Sequence, residues 1–416
     1  SAELPPATAP TSHRDQLLTL LKASISDFIV HRDDSLTVIA GYPWFLDWGR
    51  DTLICLRGIL AAGMVEQTRE IIRQFARFEQ GGTIPNMIRG NDDRNRDTSD
   101  APLWFFVACE ELGRATDRDE LLAMPCGDRT LREVLLSLGE NILAGTHNGI
   151  STDAESGLVF SPSHYTWMDT NYPAGTPRQG YPIEIQALWF AATRYLGEIT
   201  GEARWSELAE RVRGSIARYF VLPAGYLADC LHAEPGQPAA TATVDDACRC
   251  NQLLVITLGA LTDPTLLRGI LAHCWSLLVP GGIRSLADQP VEHPLPIWRD
   301  EVLINDPQHP YWGHYRGDED TRRKPAYHNG TAWSWVFPHF SEALVRTYGD
   351  SARAAALDLL GSSSSVIESG CLGHIPEVMD GDSPHQQRGC GAQAWGATEL
   401  YRVITVLTKT NQGEPT

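Results

Sequence analysis

Two acidic side chains on loops far apart in the chain, Asp169 and Glu377, are the residues best suited to carry chemistry. Asp169 lies in the stretch Tyr165–Glu184, where Pro173, Gly175, Pro177, Gly180 and Pro182 forbid a helix. A loop of that length inside a compact domain is a usual seat of function. It sets Asp169, Arg178 and Glu184 beside Trp167, Tyr172 and Tyr181. Charged groups of this kind bond hydroxyls directionally, and the aromatic faces pack on the C–H face of a pyranose. Trp167 next to Asp169 would desolvate the carboxyl, favour its neutral form and leave it able to donate a proton near neutral pH. Glu377 stands in the rigid segment Ile375-Pro-Glu-Val-Met-Asp-Gly-Asp382, where a fixed carboxylate can orient a water.

Three further constellations supply recognition groups. In Gly41-Tyr-Pro-Trp-Phe-Leu-Asp-Trp-Gly-Arg-Asp51, the polar residues Asp47, Arg50 and Asp51 alternate with Trp44 and Trp48. A capping role for Asp51 with local pairing of Arg50 is the plain alternative, and the flanking indoles tilt the balance toward a sugar site. Asp97 or Asp100 would line the pocket ahead of the helix that carries Trp104, while the other charges of 92–97 read as a solvated loop. That loop has neither the spacing nor the closing Glu of an EF-hand. The segment Tyr327-His-Asn-Gly-Thr-Ala-Trp333 belongs to a loop too long for a bare connector, and Arg322, Arg323 and Lys324 read as a solvated face. Two carboxyls, aromatic platforms and hydroxyl binders are the equipment of glycoside hydrolysis. No Gly-x-Ser-x-Gly, His-Glu-x-x-His or dinucleotide fingerprint is present, so no metal or cofactor is expected.

Helical periodicity must position these groups. It predicts a helix from about Asp15 to Phe28, then others near 51–63, 66–80, 100–115, 130–145, 183–200, 203–219, 250–260, 263–277, 330–348, 350–361 and 390–409. Strand signals are confined to Leu36–Ala40, Leu158–Phe160 and Gly225–Asp229. Tight turns such as Gly201-Glu202 alternate with long loops at 41–50, 81–100, 149–182, 221–249, 281–329 and 362–389. The expectation is an all-α closed ring of helical hairpins whose long loops converge on one end. Residues 1–13 and 411–416 read as tails around one catalytic domain spanning 14–410. A net charge of −18 disfavours nucleic acid and anionic membrane as partners, and an apolar fraction of 43% supplies an ordinary core. Nine irregularly spaced cysteines read as reduced, mostly buried thiols of a cytoplasmic protein.

Four segments in order resemble the amylo-α-1,6-glucosidase module of glycogen debranching enzymes: Trp44–Arg57; Thr166–Asp169 with Thr176-Pro-Arg178 and Glu184; Tyr327–Trp333; and Ile375–Asp382 with Arg388 through Trp395. The similarity covers nearly all of 35–405. It implies an (α/α)6 barrel, distantly glucoamylase-like, that releases glucose with inversion from α-1,6 branch points of glycogen or another branched α-glucan. Under this resemblance Asp169 is the general acid and Glu377 the general base. Arg50 and Asp51, in a Trp-x-Arg-Asp pattern, bind the non-reducing glucose. The wider substrate-binding set is Trp44, Asp47, Trp48, Asp100, Trp167, Arg178, Glu184, Tyr327, His328 and Trp333. Two positions depart from the family pattern: Asn329 replaces a Gln, and Cys250 replaces a Pro within Arg249-Cys-Asn-Gln252. Family members commonly carry an upstream domain, so a start at Ser1 reads as an excised C-terminal module or an unusually short member. The alternatives are another (α/α)6 sugar enzyme (a trehalase-like or glucoamylase-like α-glucosidase, or a sugar epimerase) and a non-catalytic glycan-binding protein.

Overall fold

Amphipathic helices joined alternately by tight turns and by long loops build this chain. The computed structural model describes residues 13–409 except 33, 91 and 172–174. Of the expected tails at 1–13 and 411–416, all but His13 lie outside the described residues, as does Tyr172, and His13 instead opens the first helix. Twelve helices carry the architecture: α1 (His13–Phe28), α2 (Gly49–Ala61), α3 (Val65–Arg77), α4 (Ala101–Ala115), α5 (Leu131–Ala144), α6 (Ile183–Thr200), α7 (Ala203–Tyr219), α8 (Leu253–Thr257), α9 (Pro264–Trp275), α10 (Phe337–Tyr348), α11 (Arg353–Gly361) and α12 (Ala394–Lys409). Each falls in a window that the periodicity predicts.

The even-numbered helices pack on one another in sequence. α2 meets α4, α4 meets α6, α6 meets α8, α8 meets α10, α10 meets α12, and α12 returns to α2. The last contact is the tightest approach: a Cβ on Gly58 would overlap the backbone of Thr398, so only glycine lets α2 and α12 come together. The odd-numbered helices lie outside this circuit, α7 against α6, α1 against α12 and α11 against α10. Burial follows the layering. In α6 nearly every side chain from Ile183 to Ile199 is buried, whereas α7 buries only the stripe Trp205, Leu208, Ala209, Val212, Ser215 and Ile216. A helix apolar on all sides belongs inside, and one with a single stripe belongs outside. One continuous hydrophobic cluster joins all twelve.

The short connections are 62–64, 201–202, 258–263 and 349–352. The link from α4 to α5 is longer than a bare turn and holds a five-residue helix, Arg118–Leu122, with a small hairpin. The long loops all enter the N-terminal ends of the even-numbered helices, so their side chains gather there. They are not bare loops. A five-stranded sheet, ordered Leu278–Val279, Gly282–Arg284, Ala332–Trp333, Val378–Met379 and Gln387–Arg388, stitches the α9–α10 loop to the α11–α12 loop. Ala392–Gln393 pairs with Gly41–Tyr42, and Met87–Arg89 pairs with Asp47–Trp48. The all-α expectation is therefore corrected to a helix-rich fold with short sheets, all but the 125–130 hairpin lying in the long loops. These strands run two to four residues, too short for an alternation pattern to betray them. Of the three expected strands, Ser35–Val38 and Val159–Phe160 form, and the third begins at Cys230, just past the window at 225–229.

All nine cysteines are free, eight of them buried and Cys371 exposed. Among the described residues no helix is long and apolar enough to cross a membrane.

Candidate active site

Arg50 and Asp51 occupy the first turn of α2, whose N-terminus offers the positive end of its dipole to acidic groups. Arg50 is buried and fully engaged. Its Nε donates to both oxygens of Asp100 at 2.8 Å, and Nη1 donates to Oδ2 of Asp169 at 2.9 Å. Asp100, at the N-terminus of α4, also accepts from Thr98 at 2.7 Å. Three segments distant in sequence thus meet on one guanidinium. Burial raises the Asp169 carboxyl above its ordinary range, and the Arg50 charge opposes that shift without cancelling it.

Glu377 is held from two sides. The Tyr327 phenol donates to Oε1, and the Cys390 amide donates to Oε2 at 2.8 Å. The sheet beneath fixes its backbone, since Val378 pairs with both Trp333 and Arg388. Gly389 has a φ of +64°, and a Cβ there would overlap Oε2 of Glu377. Desolvation pushes Glu377 up to about 7, against the two hydrogen bonds that favour its charged form. Burial likewise raises Asp51 to about 8, with Arg50 opposing and the Asp169, Glu377 and Asp100 charges adding to the rise.

These carboxyls stand between two spaces. A narrow inner chamber, with about 70 Å³ open to the centres of water molecules, is walled by Trp48, Asp51, Trp167, His328, Trp333 and Trp395, with Arg50 and Gln393 also on its surface. A funnel of about 680 Å³ leads outward past Trp44, His164, Tyr165, Tyr315, Arg323 and Lys324. Asp169, Glu377, Tyr327, Phe45 and Trp48 line both. The chamber's aromatic wall is rigid: Trp167 packs edge-on against Trp333, His328 and Trp335, with centroids 5.0 to 5.4 Å apart, and His328 stacks on Trp333. The Trp167 indole N–H donates to Oδ1 of Asn251 at 2.8 Å. Both ring nitrogens of His328, the side-chain oxygen of Gln393 and the indole nitrogen of Trp395 are buried without a hydrogen-bond partner among the described residues. Burial and the neighbouring guanidinium charges hold His328 well below its usual pKa, hence neutral.

Of the residues expected to meet a sugar, Trp44, Trp48, Arg50, Asp51, Trp167, Tyr327, His328 and Trp333 line one of the two spaces, as do Asp169 and Glu377. Asp47, Asp100, Arg178 and Glu184 line neither. Asp47 is taken by Arg32 at 2.7 Å, and Asp100 by Arg50. Arg178 is buried between Glu184 and Asp229, bonding the latter through Nε at 2.6 Å, with Thr166 at 3.0 Å. That ion cluster braces the Asp169 loop from behind. Arg323 and Lys324, expected as a solvated face, instead line the funnel. Phe45 and Gln393 were not anticipated, because neither carries a charge or a spacing that marks it in sequence.

A family described as amylo-alpha-1,6-glucosidase matches residues 23–402. The glycogen debranching enzyme of Saccharomyces cerevisiae (strain ATCC 204508 / S288c) is 26% identical over 224 residues, a match that covers 39% of this chain and 14% of the yeast protein. The chain thus spans only a small part of that relative's length. Among solved structures, a glycosidase in complex with glucose superposes with a TM-score of 0.62 at 14% identity, over 96% of this chain and 99% of that one. A wild-type glycosidase gives 0.61 at 13% identity with the same coverage. At such identity the likeness is one of fold. The family match extends through every segment that builds the chamber, and the chain belongs to the amylo-alpha-1,6-glucosidase family.

Proposed function

We propose that this chain is an inverting glycoside hydrolase that releases single glucose units from α-1,6 branch points of an α-glucan, on an (α/α)6 barrel. The barrel reading is supported by the closed circuit of even-numbered helices with the odd-numbered ones outside it. The observation that carries the catalytic reading is that Asp169 and Glu377 border both spaces. A glucosyl unit in the chamber and the remaining glucan in the funnel place the scissile bond between the two carboxyls. A chamber of about 70 Å³ behind a funnel of about 680 Å³ would suit a single terminal glucosyl unit better than the middle of a chain.

In the proposed reaction, the Asp169 carboxyl gives its proton to the glycosidic oxygen as the C1–O bond breaks. Glu377 takes a proton from the water that attacks C1 on the opposite face. A base near 7 is half ionised at neutral pH, which suits proton abstraction there. Arg50 stabilises the carboxylate that Asp169 becomes once its proton has left. Asp51, His328 and Gln393 would bond the glucosyl hydroxyls, and Trp48 and Trp44 would carry the sugars beyond. Asp100, Arg178 and Glu184 act by positioning.

Glucose release from a singly branched malto-oligosaccharide, compared with its linear counterpart and with trehalose, tests the activity and the linkage. Faster release from the branched substrate is expected. Preference for trehalose or the linear chain would shift the reading to another α-glucosidase, and no release from any would leave a glycan-binding protein. Proton NMR should detect β-glucose first; an initial α-anomer contradicts inversion.

A further inference from the structure

The segment 311–324 forms a wall with two sides. Tyr315, Glu319, Arg323 and Lys324 face the funnel. A second depression of about 420 Å³ is lined by Trp312, His314, Arg316, Gly317 and Arg322. No carboxylate lines it, on a chain whose net charge is −18. Arg316 and Arg322 are exposed, and neither has an ion-pair partner among the described residues. The Arg322 guanidinium lies over the Trp312 ring, 5.7 Å from its centroid. Gly317, at a φ of +97°, lets the Arg322 stem pack against the turn, since a Cβ there would sit 3.2 Å from Cγ. The neighbouring acids are engaged elsewhere: Asp318 accepts from the Thr321 amide at 2.9 Å and its hydroxyl at 3.0 Å, and Asp382 accepts from Tyr311 at 2.8 Å and lies 3.4 Å from His314.

Other positive groups on this wall are neutralised. Lys324 bonds Asp320 at 2.9 Å, and Arg299 bonds the same Asp320 at 2.8 Å. Two uncommitted guanidiniums beside one indole therefore form a local exception. Guanidinium forks match the oxygens of a phosphate, and an indole matches the C–H face of a pyranose. A ligand with both features satisfies the whole depression, whereas a neutral glucan would leave the cations unused.

We propose that this depression is an accessory site for a phosphorylated glucosyl unit, with Arg316 and Arg322 on the phosphate and Trp312 under the sugar ring. The unit comes either from a phosphate ester on the glucan or from a free sugar phosphate. The site stands on its own residues and does not depend on the hydrolytic reading of the funnel. Its position on the back of the funnel wall lets an occupant stiffen the segment that carries Tyr315 and Arg323.

The test is binding to the full chain by calorimetry and by phosphorus NMR line broadening, using glucose 6-phosphate, a phosphate-bearing malto-oligosaccharide, glucose and inorganic phosphate. Both phosphorylated sugars are expected to bind in the millimolar range or tighter, at least tenfold better than glucose or inorganic phosphate. The tighter of the two identifies the source. The R316A/R322A double variant should lose that binding at least tenfold while its melting midpoint and basal glucose release stay unchanged, and W312A should bring glucose 6-phosphate down to the affinity of inorganic phosphate. Absence of binding at 10 mM, equal binding of inorganic phosphate to the parent, or unchanged binding in the double variant overturns the proposal.

Discussion

Arg50 reaches Asp169 across 2.9 Å while its Nε grips Asp100 at 2.8 Å, so one guanidinium ties a catalytic candidate to the N-terminal ends of α2 and α4. Lysine keeps the charge but cannot fork to both carboxylates. R50K is expected to lower glucose release by about a hundredfold or more, and R50M to lose about 3–5 kcal/mol of stability by leaving Asp100 buried without its partner. Thermal melts together with initial rates check this. An R50K enzyme with parental rate and midpoint would remove Arg50 from the mechanism.

The Tyr327 phenol donates to Glu377, and that bond favours the charged carboxylate. Y327F keeps the ring that packs on Trp333 but should raise the Glu377 pKa further above about 7. For a base, activity falls as pH drops through the pKa. The acid limb of kcat/KM should therefore lie near 7 in the parent and move to higher pH in Y327F. A pH–rate profile with an unmoved acid limb would argue against Glu377 as the base.

Burial of Glu377 carries a cost that depends on pH. Its folded pKa, about 7, stands above the ordinary value of 4.5. Stability is thus fully present below about 4.5 and is lost as pH rises toward 7, where the folded state finally ionises. A shift of that size corresponds to about 3 kcal/mol at pH 8. E377Q should melt higher than the parent at pH 8, show little difference at pH 4.5, and release no glucose. Equal midpoints at pH 8 would mean that the carboxylate is better accommodated than its surroundings indicate.

Gly389 presses on the same carboxyl. Alanine there meets both a left-handed φ of +64° and an overlap with Oε2 of Glu377. G389A should cut the rate by about tenfold or more, with a stability loss of about 1–2 kcal/mol from the backbone strain. A variant that melts lower yet keeps full activity would show that Glu377 tolerates displacement.

Arg178 tests the division between contact and support. It is buried between Glu184 and Asp229 and borders neither space. R178M should destabilise by about 3–5 kcal/mol, since it leaves buried Glu184 without its cation and Asp229 with only Arg249 at 3.4 Å and Asn251 at 2.7 Å. At a temperature where the variant is folded, KM should change less than it does in W48A. A large rise in KM with parental stability would return Arg178 to the substrate.

The chain alone determined the twelve helices, the alternation of short and long connections, and the two loops on which Asp169 and Glu377 stand. These are local properties: apolar spacing near 3.6 residues, and proline or glycine where helix must stop. Which polar side chains face the chamber was decided only by tertiary structure. Arg50 and Arg178 are both guanidiniums flanked by acids and aromatics in sequence, yet one lines the cavity and the other is enclosed behind it. The difference lies in partners such as Asp100 and Asp229, fifty or so residues away, which no local pattern announces. The same holds for His328 and Gln393, whose place on the chamber wall no local pattern marks. It holds too for the five-stranded sheet, whose two- and three-residue strands carry no signal apart from their pairing. Sequence periodicity reports which side of an element is buried; only packing reports what it is buried against.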